Sequence, residues 1–278
     1  MAEINVVRVA EWDELKWLRH GFSTRAGGVS TVYGGETLNL GWTKEDDPAN
    51  VAENRRRLVD AVSGDDGAGA MRLVTVRQVH SGVVRVVRAE DGALEGRLET
   101  LDGKAVLEGD GLVTDVPGVL LAAGTADCVP VLVVDKAKRV VGAFHAGWRG
   151  TVEKIVEQGI DAMQREYGSQ TGDLLAAVGP SIGACCYSVG EEVRERFAAR
   201  FAYSSLLFRT EAGGQLYVDL WEANRRQLLA AGVSPERITV VGYCTACARD
   251  EAGERRYFSH RAEKGVAGRM LNVVGVVG

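Results

Sequence analysis

Seven short apolar runs constrain this chain more than any other feature. Leu73–Val79, Val83–Val87, Gly118–Ala123, Val131–Asp135, Arg139–Phe144, Leu174–Val178 and Ile238–Tyr243 are rich in β-branched residues and only five to seven residues long. That is the length of buried strands, and too short for helices. Helical spacing lies between some of them. Pro48–Ser63 sets Val51, Arg55, Leu58, Val59 and Val62 on one face, with Pro48 suited to the first helical position. Thr151–Tyr167 does the same with Val152, Ile155, Val156, Ile160 and Met163, Thr151 serving as N-cap and Gly168 as stop. Ser188-x-x-Glu191 and Asp219-x-x-Glu222 have the form of capping boxes, opening helices with faces Val193/Phe197/Phe201 and Leu220/Leu228. Strands in pairs, with helices that do not strictly alternate with them, favour an α+β fold over a doubly wound one.

At 278 residues the chain can bury a large core, and with no repeat or low-complexity linker it is expected to form one domain, 1–278. Ser63–Ala70 and Asp91–Asp110 are expected to be exposed loops. Hydrophobic residues at 46% and charged residues at 26% exclude a disordered chain. The net charge of −5 gives no footprint for nucleic acid or an anionic membrane. The first ten residues lack the charged flank, apolar core and cleavage site of a signal peptide, so the cytoplasm is the expected compartment. The five cysteines are then expected to be reduced.

Several motifs are absent or weak. There is no G-x-x-x-x-G-K-[ST], no G-x-G-x-x-G after a strand and no H-E-x-x-H. Gly179-Pro180-Ser181-Ile182-Gly183 matches the nucleophile elbow G-x-S-x-G, with Asp219 or Asp250 and His260 following in order. An elbow needs a helix directly after the serine, however, and Gly183–Tyr187 delays the helix, so a glycine-bounded loop is expected. Cys244-x-x-Cys247 has redox or half-zinc spacing. The adjacent pair Cys185-Cys186 is not the usual second half, and core or loop thiols are expected.

With four histidines in the chain, any imidazole site must use identifiable residues. Three glycine-flanked strand ends hold Gln78-Val79-His80-Ser81-Gly82, Thr125-Ala126-Asp127-Cys128 and Phe144-His145-Ala146-Gly147-Trp148-Arg149. His80, Cys128 and His145 form a His, Cys, His set, the three-ligand form of a catalytic zinc site with one position open. It also has the donor types of a copper site. On spacing alone, 48 residues and then 17, no short zinc signature holds the three together, and two unrelated histidines with a buried thiol are the favoured reading. Around the set lie candidate anion binders: the turn-rich stretch His20–Ser30 with Ser23 and Arg25, Arg149 at an expected helix N-terminus, and Arg261.

Taken together, His20-Gly-Phe-Ser-Thr-Arg-x-Gly-Gly-Val-Ser, Leu38-Asn39-Leu40-Gly41, Gln78-Val-His80, Thr125-Ala-Asp-Cys128, His145-Ala-Gly-Trp-Arg-Gly150, Gly179-Pro-x-Ile-Gly-x-Cys-Cys-Tyr187 and Ser259-x-Arg261…Gly268-Arg269 resemble the YfiH/YlmD family. That group was once labelled multicopper polyphenol oxidases (laccases) and is now associated with purine nucleoside phosphorylase activity. The resemblance runs from about His20 to Arg269, and departs from the family pattern at His260 and Ala262–Lys264, beside Arg261.

The resemblance implies a single α+β domain, a mixed β-sandwich with flanking helices. It implies zinc, with copper as the alternative metal, on His80, Cys128 and His145. It implies phosphorolysis of adenosine, guanosine, inosine and S-methyl-5′-thioadenosine, with adenosine deamination beside it. Nucleosides and phosphate are then the partners of a monomer or weak homodimer that binds neither nucleic acid nor membrane. Ser23, Arg25, Asn39, Gln78, Arg149 and Arg261 are the candidate substrate contacts, and Asp127, beside Cys128, is either an acid/base or a carboxylate that orients a ligand histidine. Two other enzymes stay open. A copper polyphenol oxidase would need a histidine-rich three-copper cluster, for which four histidines are too few. An amidase editing peptidoglycan precursors would use Cys128 as nucleophile with His145 or His80 as base. A partner-binding domain with a vestigial site is the non-enzymatic alternative.

Overall fold

The apolar runs are continuous because the strands they form are covered on both faces. In the computed structural model, which describes residues 4–64 and 71–277, two mixed sheets stack face to face. The first has the order β1 (Val6–Val7), β2 (Leu18–Ser23), β15 (Met270–Val276), β7 (Val119–Thr125), β4 (Arg72–Val74). The second has the order β14 (Ile238–Val240), β10 (Leu174–Val178), β8 (Val129–Asp135), β9 (Val140–Ala146), β6 (Gly111–Thr114), β5 (Val84–Val86). Among the described strands, only β4–β7, β10–β14 and β5–β6 pair in parallel. The remaining strands are β3 (Ala26–Ser30) and a small antiparallel sheet of β11 (Ser188–Val189), β13 (Leu216–Val218) and β12 (Phe208–Thr210).

Successive side chains of a strand point to opposite faces, and here each face has its own core. On β8, Leu132 and Val134 pack between the sheets with Leu121, Ala123 and Val274 of the first sheet. Val129, Val131 and Val133 pack outward against helices α3 (Ile155–Tyr167), α4 (Glu191–Arg200) and α5 (Leu220–Ala230). On β7, Leu120 and Ala122 face the opposite way, onto Leu58 and Val62 of α1 (Pro48–Ser63). The result is a four-layer α/β/β/α stack, a mixed sandwich with flanking helices. Each fully buried Leu or Val in it contributes about 1.5–3 kcal/mol relative to exposure.

Pro48–Ser63 is helical throughout, capped by the Asp47 carboxylate, which accepts the Ala49 N–H at 2.8 Å. Asp219 caps α5 by accepting the Glu222 N–H at 3.0 Å. Other expectations are corrected. Thr151–Tyr167 is two helices, α2 (Trp148–Val152) and α3, broken at Lys154 with φ 59°. The apolar spacing of Val152, Ile155 and Val156 runs across the break, so periodicity alone does not register it. Thr151 lies inside α2 and does not cap it: its hydroxyl accepts from Asn224 and donates to Ala146 O. The Gly190 backbone, not Ser188, precedes α4, because Ser188 pairs with Tyr217 in the small sheet.

Leu73–Val79 stays in its sheet only to Val74; the rest peels off toward the open end of the sandwich. Asp91–Asp110 is largely turns and bends with one short 3₁₀ turn, while Ser63–Ala70 lies mostly outside the described residues. β2 and β15 escape a search for apolar runs because Arg19, His20 and Gly21 interrupt one and Asn272 and Gly275 the other. No helix among the described residues is long and apolar enough to cross a membrane.

Candidate active site

The site forms where the chain crosses from one sheet to the other. β7 ends at Thr125, and Ala126–Cys128 carries the backbone over to β8. Cys128 thus stands at the rim of the second sheet, and His145, opposite Pro130 on β9, stands next to it. His80 arrives on the segment that peeled away from β4. Its ring lies 4.9 Å, centroid to centroid, from that of His145. The ligand atoms of His80, Cys128 and His145 all fall within 4.8 Å of one another. His145 is buried and His80 is exposed to the cavity.

One buried carboxylate builds most of this arrangement. Asp110 Oδ1 lies 2.8 Å from His145 Nδ1 and accepts the His80 N–H at 3.0 Å. Its Oδ2 accepts the N–H groups of Val79 (3.2 Å) and Ser81 (2.6 Å) and the Ser81 hydroxyl (2.8 Å). Three consecutive N–H groups converge on one anion, which holds His80 in the left-handed region at φ 60°. Non-glycine residues remain there only where their surroundings over-determine the backbone. Gly147 completes the fit, since a Cβ there would lie 2.8 Å from Cys128 Sγ and 3.4 Å from His80 Cδ2.

The charges reinforce each other. Burial alone would raise the Cys128 thiol, but the imidazoles of His145 and His80 bring it down to about 6. Burial would lower His145, but the Cys128 sulfur and Asp110 lift it to about 9. Burial would raise Asp110, yet its bonds to His145 and Ser81 hold it near 2. The donor set therefore fits a metal ion: a thiolate and two imidazoles converge, one imidazole is oriented by a carboxylate, and the fourth side opens on a cavity.

That cavity, of about 700 Å³, has His80, Cys128 and His145 in its wall. Of the other candidates from the sequence it brings in Gln78, Asp127, Arg149 and Arg261. Gln78 holds both backbone groups of Gly124, at 2.7 and 2.8 Å. Asp127, at φ 90°, accepts from the Thr245 hydroxyl and the Arg261 N–H, each at 2.7 Å. Ser23, Arg25 and Asn39 do not line the cavity. The Ser23 hydroxyl accepts the Leu271 N–H; Arg25 pairs with Glu263 and bonds Tyr33 O; Asn39 accepts the N–H of Arg269. All three brace the framework behind the wall. Arg149 sits in a helix of only five residues, so its own charge, rather than a helix dipole, is what it offers. Ser181 is buried, accepts from Trp221 Nε1, and is followed by no helix, consistent with a glycine-bounded loop.

Sequence reasoning missed Asp110 altogether. Its signal is slight: a carboxylate between two glycines directly before the run Leu112-Val113. It named Arg149 and Arg261 but not the rest of the cationic wall. Arg55, Arg77, Lys104, Arg149, Arg261 and Arg269 surround the cavity, and Asp127 is the one carboxylate among its lining residues. The guanidinium groups of Arg149, Arg261 and Arg269 have no carboxylate partner among the described residues; that of Arg261 donates to the Ser188 hydroxyl and that of Arg269 to Ala267 O and Gly268 O. Trp42, Trp148 and Tyr187 line the same cavity, with Arg55, Arg149 and Arg261 over their respective rings.

The family model described as multi-copper polyphenol oxidoreductase laccase matches residues 19–277. Purine nucleoside phosphorylase YlmD of Geobacillus stearothermophilus is 38% identical over 269 residues, covering 93% of this chain and 94% of that protein. Adenosine deaminase RL5, from an unknown prokaryotic organism, is 37% identical over 228 residues, covering 81% and 84%. The crystal structure of Bacillus licheniformis hypothetical protein YfiH superposes with a TM-score of 0.83 at 32% identity, over 99% of this chain and 97% of that one. Matched by the family model over nearly its whole length and similar throughout to YlmD and YfiH, the chain belongs to the YfiH/YlmD family, the laccase-like family of that model.

Proposed function

We propose that this protein is a zinc-dependent purine nucleoside phosphorylase acting on adenosine, guanosine, inosine and S-methyl-5′-thioadenosine, with adenosine deaminase activity as well. The observation that carries the reading is a cationic, aromatic-walled cavity opening on the His80, Cys128 and His145 donor set, in a chain whose net charge is −5. The names of the YlmD and RL5 relatives agree with both activities.

In phosphorolysis a phosphate oxygen bonds to C1′ as the C1′–N9 bond breaks, and the purine takes up a proton. The guanidinium groups of Arg149, Arg261 and Arg269, without carboxylate partners among the described residues, would hold the phosphate dianion, and Trp42, Trp148 or Tyr187 would stack on the purine. Asp127, the one carboxylate among the described residues lining the cavity, would exchange the proton at the leaving base. Its bonds from Thr245 and Arg261 keep it oriented while it does so. A divalent metal on His80, Cys128 and His145 would supply Lewis acidity and an activated water for attack at C6 in deamination. Asp110 fixes the His145 ring and the His80 backbone throughout. Replacing His80 or Cys128 with Ala should abolish phosphate-dependent release of hypoxanthine from inosine; full activity in either variant overturns the reading.

The relay Asp110–His145–Cys128 also supports a second reading, a cysteine nucleophile with a histidine base, as in an amidase. Chelation separates the two, because the nucleophile reading requires activity that survives metal removal and dies on thiol alkylation. A three-copper oxidase lacks the ligands: His20 is buried elsewhere, accepting the Val9 N–H, and only His80 and His145 meet.

A further inference from the structure

We propose that Cys185, Cys186, Cys244 and Cys247 form a second metal site, a structural zinc tetrathiolate separate from the His80, Cys128 and His145 centre. Expected from the sequence as core or loop thiols, these four cysteines bring their sulfurs to within 4.8 Å of one another. Cys185 and Cys247 stand 3.8 Å apart. With zinc–sulfur bonds of about 2.3 Å, the edge of a tetrahedron of thiolates is about 3.8 Å. Small side-chain adjustments bring the set to that geometry. Packing does not require the cluster, because Cys185 and Cys247 are exposed.

The backbone around the four thiols is built as a ligand frame. A parallel bridge joins Ser181 to Cys244, with Ser181 N–H donating to Tyr243 O and Thr245 N–H to Ser181 O. The Cys244–Cys247 turn closes through the Ala248 N–H to Cys244 O at 2.8 Å. The Gly183 N–H donates to the Cys244 sulfur at 3.3 Å. Such N–H···S bonds stabilise a thiolate. Zinc with four thiolates carries two net negative charges, and two guanidinium groups stand beside it. Arg209 donates to Ala184 O and Arg255 to Ala246 O, the residues just before Cys185 and Cys247.

The site would tie the loop bearing Ile182 and Tyr187, which line the cavity, to the turn bearing Thr245, which holds Asp127. Loading replaces thiol protons with Zn²⁺, and no oxidation takes place.

The test is metal stoichiometry on the intact, reduced protein, by native mass spectrometry beside elemental analysis. A His80→Ala/Cys128→Ala variant should keep one zinc per chain, and Cys185→Ser/Cys247→Ser should lose one zinc relative to the parent. A first variant devoid of metal, or an unchanged zinc content in the second, overturns the proposal. So does an intact mass, without reductant, lower by a pair of hydrogens for each disulfide formed. Should the serine variant fail to fold, cobalt loaded into His80→Ala/Cys128→Ala decides. Tetrahedral tetrathiolate bands are expected, and their absence overturns the assignment.

Discussion

Asp110 Oδ1 stands 2.8 Å from Nδ1 of His145 and so determines which ring nitrogen of that histidine faces Cys128. The same carboxylate anchors the backbone of His80, so two of the three donors depend on a residue that is not among those lining the cavity.

Asp110→Asn keeps the shape but removes the charge and one acceptor. Metal affinity should fall about 10- to 100-fold, as for other carboxylates that orient a ligand histidine. Competition with a chromophoric chelator measures it, and an unchanged affinity would remove Asp110 from its assigned role.

Gly147→Ala tests how closely the backbone must approach the donors. The residue has φ −61°, which alanine adopts freely, so the only conflict is the added methyl against Cys128 Sγ and His80. Thermal stability should change by no more than about 1 kcal/mol, whereas metal content and phosphorolysis should both drop steeply. Paired melting and metal assays separate the two effects.

Arg149→Ala and Arg261→Ala each remove one guanidinium from the cavity wall. A lost charge-assisted contact of about 1.5–3 kcal/mol raises the phosphate KM about tenfold to a hundredfold. Deamination of adenosine consumes no phosphate, so its rate should fall far less. Parallel kinetics of the two reactions in one preparation provide the check, and equal losses in both would place these arginines on the nucleoside instead.

His20 makes folding acid-sensitive. Burial, aided by the nearby charge of Arg8, holds the ring down to about 4 while its Nε2 accepts the Val9 N–H. In the unfolded chain the ring titrates near 6.5, so between about 6.5 and 4 the unfolded state binds more protons. His20 therefore contributes its full share above pH 6.5 and loses about 1–3 kcal/mol as the pH falls toward 4. Urea titrations at pH 7.5 and 5, compared with His20→Gln, should show a smaller pH difference in the variant. Identical differences would refute the assignment.

Much of this was legible in the residue order. Runs such as Leu174–Val178 announced strands, and Pro48–Ser63 announced its helix down to both ends, because local chemistry alone decides those elements. The His80, Cys128 and His145 set was visible because imidazoles are so rare here. What pattern reading could not supply is what the tertiary structure alone creates. Lys154 breaks a helix that apolar spacing runs straight through. Ser23, Arg25 and Asn39 carry the right chemistry but face the framework. Four cysteines separated into two pairs by nearly sixty residues meet only through the bridge between Ser181 and Cys244.

The crossing at Ala126–Cys128 makes the site a gauge of the interior. Cys128 begins the second sheet, His145 ends its neighbouring strand, and His80 comes from a segment rooted in the first sheet. Any exchange among Leu121, Ala123, Leu132 and Val134 that alters the spacing of the two sheets therefore moves these donors against one another. Catalytic tuning in such a protein need not touch the cavity at all: the dry interface behind it is an adjusting screw.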